Sequence, residues 1–385
     1  MEVNQIKDLV NATTKEVLGE TALQIDDLSK VVELGDSVYN VKQMDNYVRT
    51  LIDQIGKIVF VNRPYKGSVP SVLMDGWEYG AVLEKITMDS LPEAQENDSW
   101  KLTNGTSYDP NVFNGPKVSA KFFNTKSTFE IPMSFADRQV KSAFQSATQL
   151  NAFMSMIEGA ISNSMTVKID SLISGTIANM IGQTLTAGGT NRCVNLLKEY
   201  NARFSTTLKA EKCITDADFI RWASFRMGLY TNRLAKISKL FNIGGKERFT
   251  TSDRLHMVML DEFAKAADSY LQSDTYHETF TQLPKGELVT YWQGSGTGYD
   301  FMDTSAIKVK IANPSGGTEY TVEQTGILGV AFDSDALGVV CENKRVTTQY
   351  NGRAEFYNNW YKFDAGYFND LNENFIVFYV SDDTE

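Results

Sequence analysis

The residue types that carry catalysis and metal binding are scarce in this chain and are not grouped. It has two histidines, His256 in an apolar stretch that predicts a buried strand and His277 beside Glu278 in a polar stretch. Neither has a second histidine at the spacing that zinc sites use, and no nucleophile, base and orienting group can be assembled from the spacing. The sequence therefore predicts no catalytic residue, no metal ligand and no cofactor-binding residue.

Two short motifs resemble ligand loops but lack the residues that would complete them. Residues 294–298 (G-S-G-T-G) resemble a phosphate-binding loop, yet neither the required Lys-Ser/Thr nor a helix follows. Residues 333–338 begin like a calcium loop, but Leu337 occupies a ligand position and Lys344 stands where a bidentate Glu is needed. We interpret the first as a loop between strands and the second as a turn between strands.

The densest group of basic residues consists of Lys236, Lys239, Lys246 and Arg248. A solvent-exposed charged face is the ordinary role of such a group, and a contact with a carboxylate of a neighbouring copy is the alternative. The chain as a whole is acidic, with a formal net charge of -11. This charge argues against a nucleic-acid-binding footprint, because phosphate binding needs clustered Lys and Arg.

The composition is typical of a globular protein of a reducing compartment. Hydrophobic residues make up 42% of the 385 residues, which is enough for a core. Cys193, Cys213 and Cys341 are odd in number and far apart, which does not suit a disulfide framework. Because a signal-peptide pattern and a long apolar run are both lacking, we expect neither secretion nor a membrane partner.

A long amphipathic segment is the element around which we expect the chain to be organised. Its apolar side chains recur every three or four residues over 150–181, which predicts one helix. Ser134 and Asp137 form a capping-box-like start, and Gly182 followed by residues 188–189 marks the stop.

Two glycines lie inside this predicted helix, Gly159 and Gly175. Each costs up to about 1 kcal/mol relative to alanine. We interpret them as points where another element comes close, with helix curvature as the alternative. The heptad rule is not kept, so a helix that lies across a sheet is favoured over a coiled coil.

Residues 89–133 form a long polar excursion rich in Asn, Gly, Ser and Pro. They end in two alternating stretches, 118–123 and 127–132, that are typical of strands. A long polar segment inside a compact domain is usually functional, and an isolated hairpin is marginally stable in water. We therefore expect an extended two-stranded loop that rests on a neighbouring molecule.

The two ends of the chain differ in character. The first 55 residues predict short helices that end at Gly19, Gly35 and Gly56, which we interpret as an arm that packs on another element, or as a small helical subdomain. After residue 190 the pattern is mixed. Helices are predicted at 191–208, 215–234 and 261–271, and strands at 256–260, 288–292, 306–311, 327–332, 337–341, 345–350 and 375–380, with a dense aromatic run at 356–368.

The order of arm, projecting loop, long helix, α/β body and returning strands resembles the major capsid protein of tailed bacteriophages, which has the Hong Kong 97-type shell fold. Several stretches are similar to capsid proteins from phages of Gram-positive bacteria. They are 10–20 (V-N-A-T-T-K-E-V-L-G-E), 60–65 (F-V-N-R-P-Y), 72–80 (V-L-M-D-G-W-E-Y-G), 326–333 (G-I-L-G-V-A-F-D) and 363–369 (F-D-A-G-Y-F-N). The resemblance covers essentially the whole chain.

The resemblance implies an α+β fold with a set order of parts. The expected parts are an N-terminal arm (1–55), an extended loop region with flanking strands (56–134), a peripheral domain with a long spine helix (135–189), a mixed α/β axial domain (190–335), and strands that return to the peripheral domain together with a C-terminal strand (336–385).

The resemblance also implies a structural, non-enzymatic role. The chain is expected to self-assemble as hexamers and pentamers into the icosahedral shell of a virion, around double-stranded DNA that it contacts without sequence specificity. Some members of the family carry a long helical scaffold segment before the arm. Because the arm stands first in this sequence, a separate scaffolding protein is expected. A portal protein at one vertex and assembly in the host bacterial cytoplasm are expected as well. The alternatives are an encapsulin-type nanocompartment shell, a soluble α/β enzyme, and a phage tail or portal component.

Overall fold

The computed structural model describes most of the chain. The described residues are 3–19, 24–26, 30–40, 46–47, 50–51, 54, 69–74, 83–111, 113–143, 145–272, 285–293, 304–311 and 319–382. The predictions for His277 and for residues 294–298 lie outside these ranges.

Helices and strands occur largely in separate runs along the described chain, and most of the strand pairs are antiparallel, which confirms the α+β class. The helices are α1 (Val3–Leu18), α2 (Val31–Asn40), α3 (Asp137–Ala143), α4 (Ala147–Ala187), α5 (Leu196–Phe204), α6 (Ala217–Leu234) and α7 (Asp261–Gln272). The strands are β1 (Leu73–Met74), β2 (Leu83–Met88), β3 (Val118–Phe123), β4 (Lys126–Ala136), β5 (Cys193–Asn195), β6 (Leu255–Leu260), β7 (Glu287–Val289), β8 (Ile307–Ile311), β9 (Tyr320–Gln324), β10 (Ile327–Asp333), β11 (Leu337–Asn351), β12 (Phe356–Asn369) and β13 (Phe375–Tyr379).

The chain divides into two compact units. The first comprises Met1–Gly76, Lys126–Ile173 and Val339–Gly366, and the second comprises Trp77–Thr125, Ser174–Gly338 and Tyr367–Glu385. The long helix α4 therefore contributes residues to both. None of the described helices is long and apolar enough to cross a membrane.

The first unit is built on a four-stranded sheet in the order β1-β11-β12-β4. The aromatic run predicted at 356–368 forms β12, which pairs antiparallel with β4 from Phe356 to Gly366. One face of this sheet packs on α4, where the rings of Phe135 and Phe153 meet edge to face at 5.7 Å. Burial of these rings contributes to the stability of the sheet, because large aromatic side chains bury much apolar area.

The arm of the first unit is held by buried hydroxyl groups as well as apolar side chains. Ile6 and Val10 on α1 are buried. The Thr14 and Tyr47 hydroxyl oxygens lie 3.0 Å apart, and each donates to the Val10 carbonyl. Burial raises the pKa of Tyr47 to about 12, although the Thr14 hydrogen bond lowers it slightly. Ile6, Val10 and Tyr47 of the arm are thus covered within their own unit, whereas Val32 is exposed.

The predicted start of the long helix was wrong. Ser134 lies in β4, whose alternation continues through Phe135, and the first helical residue is Asp137. That first helix, α3, ends at Ala143, and α4 begins at Ala147. The apolar stripe over 150–181 is confirmed as one face of α4. The predicted stop is confirmed at residues 188–189 rather than at Gly182, because Gly188 and Gly189 have φ of +64° and +105°.

The second unit is built on a five-stranded sheet in the order β5-β13-β10-β6-β7. The central strand β10 is antiparallel to β13 and to β6, and every residue of β10 is buried. A strand covered on both faces reads as a continuous apolar run, which is why residues 327–332 were predictable. The predicted strands at 256–260 and 375–380 are confirmed as β6 and β13.

Several local predictions after residue 190 needed correction. The helix predicted over 191–208 begins as the short strand β5, and only Leu196–Phe204 is helical. Helix α6 is capped by Asp216, whose side chain accepts from Phe219 N–H, rather than by Thr215. The predicted strands at 337–341 and 345–350 form one strand, β11, and β9 was not predicted.

The close approach expected inside α4 occurs at a different glycine. A Cβ placed at Gly159 or Gly175 would meet no atom within 4 Å, so that prediction was wrong. At Gly182 a Cβ would lie 2.6 Å from Val309 Cγ2, on the two-stranded β8–β9 sheet. The absence of a side chain at Gly182 therefore lets this sheet pack against the helix.

Candidate assembly surfaces

Strands β2 and β3 form an antiparallel ribbon that carries the polar excursion of residues 89–117. Leu83 pairs with Phe123 at one end and Met88 with Val118 at the other. The excursion thus projects from β2 and β3, whereas β4 pairs with β12. We call this pair of strands the β2–β3 ribbon. A two-stranded sheet is marginal alone, so its orientation depends on what holds its inner face.

The inner face of the ribbon places two lysines opposite each other. Lys85 and Lys121 are register partners, and like charges at such a position are destabilising. The carboxylate of Asp370 compensates them, with Oδ2 3.0 Å from Lys85 Nζ and Oδ1 2.9 Å from Lys121 Nζ. Beside this pair, the rings of Phe123 and Phe368 lie 5.0 Å apart. Ion pairs and an aromatic contact therefore both hold the inner face of the ribbon.

Asp370 is fixed by the turn after β12. Its side chain is only 1% exposed, its N–H donates to Ala336 O, and its Oδ1 accepts from Asn372 N–H. Burial alone raises the pKa of Asp370, but the hydrogen bond from Lys121 and the charge of Lys85 outweigh it and hold that pKa below its usual range. A buried carboxylate of this kind stays ionised because its partners are in place.

A second carboxylate extends the same cluster. Glu373 Oε1 lies 2.9 Å from Lys85 Nζ and 3.2 Å from Arg248 Nε. The Arg248 guanidinium also donates to the carbonyl of Met88, at the end of β2. Arg248 thus links the start of the excursion to the turn that carries Asp370.

The start of the excursion is held by a third set of bonds. Asp89 accepts from Lys246 Nζ at 2.5 Å and from Ser119 Oγ at 2.8 Å, and these hydrogen bonds lower the pKa of Asp89. The N–H of Leu91 donates to Glu247 at 2.9 Å, which lowers the pKa of Glu247. Beyond Leu91 the excursion is exposed at residues 92–97, 100–111 and 113–117.

The basic cluster therefore has a role that its sequence did not reveal. Lys246 and Arg248 pair with carboxylates of the same chain, and Lys239 Nζ lies 3.2 Å from Glu247. The sequence showed the four cations but not Asp89 or Glu373, which lie far from them along the chain. Only the topology brings these charges together.

The excursion carries large apolar side chains that are exposed in the part of the chain that the structure describes. Trp100 is 72% exposed, Leu102 is 76% exposed and Phe113 is 91% exposed. On the outer face of the ribbon, Ile86 and Phe122 are exposed as well. Exposed apolar groups of this size, grouped on one projection, are typical of protein–protein interfaces.

Two of the places singled out for chemistry lie among the described residues, and both make structural contacts. His256 lies in β6 with its ring 5.8 Å from that of Phe332. Residues 334–336 form the predicted turn between β10 and β11, where Asp333 accepts from Thr250 and Arg254. Across the described ranges, no group of three or more His, Cys, Asp or Glu side chains is placed to hold a metal ion.

The three cysteines are free thiols. Burial raises the pKa of Cys193 to about 11, of Cys213 to about 12 and of Cys341 to about 11. Thiols with such pKa values are poor nucleophiles at neutral pH.

Comparison of structures supports a shell fold. The chain is similar to the capsid structure of Staphylococcus phage Andhra, with 11% identity, a TM-score of 0.51, and coverage of 84% of this chain and 86% of that one. It also matches a structure of the head fiber and inner core protein gp22 of native bacteriophage P68 (12% identity, TM-score 0.49, 84% and 86% coverage). A Microbacterium phage Oxtober96 structure matches as well (10% identity, TM-score 0.45, 83% and 93% coverage). At these identities the likeness shows the fold alone.

Comparison of sequences gives the family. A search among curated proteins found no match. A sequence model of the family described as Phi29-like phage major capsid protein matches residues 10–379, which is nearly the whole chain. The resemblance to tailed-phage capsid proteins is thereby confirmed, and with it a structural role in the viral shell. This chain belongs to the Phi29-like phage major capsid protein family and is the major capsid protein of a tailed phage.

Proposed function

We propose that copies of this chain assemble as hexamers and pentamers into the icosahedral shell that encloses the double-stranded DNA genome. The supporting observation is the exposed apolar set on the excursion, Trp100, Leu102 and Phe113, carried on a ribbon whose base is held by ion pairs. A projection of fixed direction with an apolar tip is suited to an adjoining copy, because burial there removes the apolar area from water.

The negative net charge of the chain is compatible with a shell that encloses DNA. A formal net charge of -11 limits adhesion to phosphates and agrees with a genome that is enclosed without sequence-specific contact. The other proposed partners are a separate scaffolding protein and a portal protein at one vertex, with assembly in the host cytoplasm and without enzymatic activity.

The proposed parts keep the boundaries expected from the sequence. They are the arm (1–55), the extended loop region (56–134), the peripheral domain (135–189), the axial domain (190–335) and the returning and C-terminal strands (336–385). Deletion of residues 1–35 tests the arm. We expect fewer closed shells by electron microscopy, and unchanged assembly would contradict the role proposed for it.

The assembly role is tested by removing the apolar tip without disturbing the fold. In co-expression with the scaffolding protein, we expect Trp100→Ser combined with Phe113→Ser to raise the concentration needed for shell formation about tenfold or more. Thr106→Ala, in the same excursion, is the matched control. Sedimentation and negative-stain microscopy measure shells, and circular dichroism reports the fold. Normal shell formation by the double variant would contradict the proposal.

Analysis of what the shell contains distinguishes a viral capsid from an encapsulin-type compartment. Particles from infected cells should contain DNA. Particles filled with a cargo protein instead of DNA would favour the encapsulin alternative, and turnover of a small compound by the purified chain would contradict the non-enzymatic role.

A further inference from the structure

Helices α5 and α6 enclose an aromatic groove that lies outside the ribbon. Tyr200 packs edge to face against Phe219 at 5.5 Å and against Trp222 at 5.7 Å. Phe204 and Phe225 are 51% and 56% exposed, which is unusual for side chains next to an aromatic core. We call this surface the α5–α6 groove.

The groove consists of two adjoining cavities of about 420 and 540 Å³. Trp222 and Phe225 line both of them. An open cleft with an aromatic floor is suited to a large flat side chain rather than to an aliphatic one, because aromatic pairs gain from edge-to-face and stacked contacts.

The rim of the groove carries more positive than negative charge. Its lining includes Arg203, Arg221 and Arg226 against Glu199 and Asp218. The two carboxylates are already paired, because Arg226 Nη2 lies 2.5 Å from Glu199 and Arg221 Nη1 lies 3.6 Å from Asp218. One positive charge therefore remains in surplus at the rim, in a chain whose net charge is -11.

The excursion contains a segment with the opposite character. Residues 90–100 (S-L-P-E-A-Q-E-N-D-S-W) contain three carboxylates and no cation, and end in Trp100. Residues 90–97 are exposed throughout, and 91–97 form neither helix nor strand. Within the chain Glu96 lies 3.9 Å from Lys101 Nζ in an exposed pair, which is weak enough for Glu96 to exchange Lys101 for a partner on a second copy. The indole ring of Trp100 can stack on the aromatic floor of the groove, and the carboxylates beside it can pair with the guanidinium groups of the rim.

We propose that Trp100 of one copy inserts into the α5–α6 groove of a second copy, with Glu93 and Glu96 facing the arginines of the rim. This inference rests on the proposed assembly role and adds to it the receiving surface. It assigns Trp100 as the anchor of the contact, because a deeply seated Trp beside Arg is the usual composition of an interface hot spot.

A charge exchange tests the pairing. We expect Arg203→Glu with Arg221→Glu, and separately Glu93→Lys with Glu96→Lys, each to raise the concentration needed for shell formation about tenfold. Combining the two pairs in one chain should restore assembly to within about threefold of the wild type. Arg353→Glu, in the exposed turn after β11, is the matched control. Unchanged assembly in both variants, or no restoration in the combined chain, would overturn the proposal.

A second measurement does not depend on those variants folding. A benzophenone amino acid replaces Trp100, shells are assembled, and ultraviolet light is applied. We expect a covalent dimer whose linked peptide falls within residues 199–226 of the second copy. If the shells form and the link lies elsewhere, the receiving surface is wrong while the assembly role stands. If the wild-type chain forms no shell at all, the assembly role fails, and this inference fails with it.

Discussion

Lys85 and Lys121 stand directly opposite each other in the β2–β3 ribbon, and the carboxylate of Asp370 lies between their ammonium groups. Glu373 also lies 2.9 Å from Lys85 Nζ, but Asp370 is the carboxylate that pairs with both lysines, and its loss would leave two like charges opposed with one carboxylate between them. This buried acid therefore contributes strongly to the stability of the base of the projection.

Removing this acid should weaken the chain measurably. We expect Asp370→Asn to lower the free energy of unfolding of the unassembled subunit by about 3 kcal/mol, because breaking a buried ion pair leaves its partner uncompensated. Urea unfolding followed by fluorescence measures the change. Asp268→Asn, on the exposed face of α7, should leave the midpoint unchanged. Equal midpoints for the two variants would contradict the role of Asp370.

Acid should destabilise the first unit through Asp364. This side chain accepts hydrogen bonds from Arg345, Thr128 and Asn343, and the Arg345 bond is the main reason that the pKa of Asp364 falls to about 2. A carboxyl whose pKa is depressed on folding contributes stability above its unfolded pKa of about 4, and loses it as the pH falls toward about 2.

The matching variant is Asp364→Asn. Between about pH 5 and about pH 2 we expect it to lose less stability than the wild type, as measured by thermal unfolding. Parallel losses in the two proteins would show that Asp364 does not contribute to acid sensitivity.

Alkali should act on the arm through Tyr47. Its pKa is raised to about 12, so the neutral phenol is the form that the fold favours. A group with a raised pKa stabilises the fold below the unfolded value of about 10 and loses that contribution as the pH rises through about 12. We expect Tyr47→Phe to lose about 1 kcal/mol less than the wild type between about pH 9 and about pH 11 in urea unfolding. An identical decline would contradict this.

Two glycines of α4 should respond oppositely to alanine. Gly182→Ala places a methyl group 2.6 Å from Val309 Cγ2, so we expect overpacking to cost about 1 kcal/mol net. Gly175→Ala meets no atom within 4 Å, and should stabilise the unassembled subunit by up to about 1 kcal/mol through helix propensity. Thermal unfolding measures both.

A second substitution identifies the cause. Val309→Ala combined with Gly182→Ala should recover part of the loss, because it removes the atom that the new methyl group meets. A shift of the same sign in the two glycine variants would show that the contact with β8 does not decide the outcome.

The sequence predicted long helices and buried strands well, but it predicted pairings between distant residues poorly. The apolar stripe over 150–181 and the continuous apolar run of β10 were readable because helices and buried strands repeat locally. Ser134 was mistaken for a helix cap because its strand partner, Asn358, lies 224 residues away. In the sequence alone, a serine near the end of a strand cannot be distinguished from a helix N-cap unless its partner on the neighbouring strand is known.

The same limit applies to the candidate surface. The polar excursion suggested an exposed segment with apolar residues in it. The position of Lys85 opposite Lys121 could not be predicted, because it depends on the register between two strands and the sequence of one strand does not determine that register. Asp370 could not be assigned from spacing, since it lies 249 residues from Lys121.

The 249 residues between Lys121 and Asp370 also affect when the ribbon can become stable during synthesis. A ribosome delivers both lysines long before Asp370 and Glu373, so the ammonium groups of the nascent ribbon lack these carboxylate partners until that turn has been synthesised. We therefore expect the β2–β3 ribbon to reach its stable orientation only after residues 370–373 have left the ribosome, which makes the projection a late product of co-translational folding.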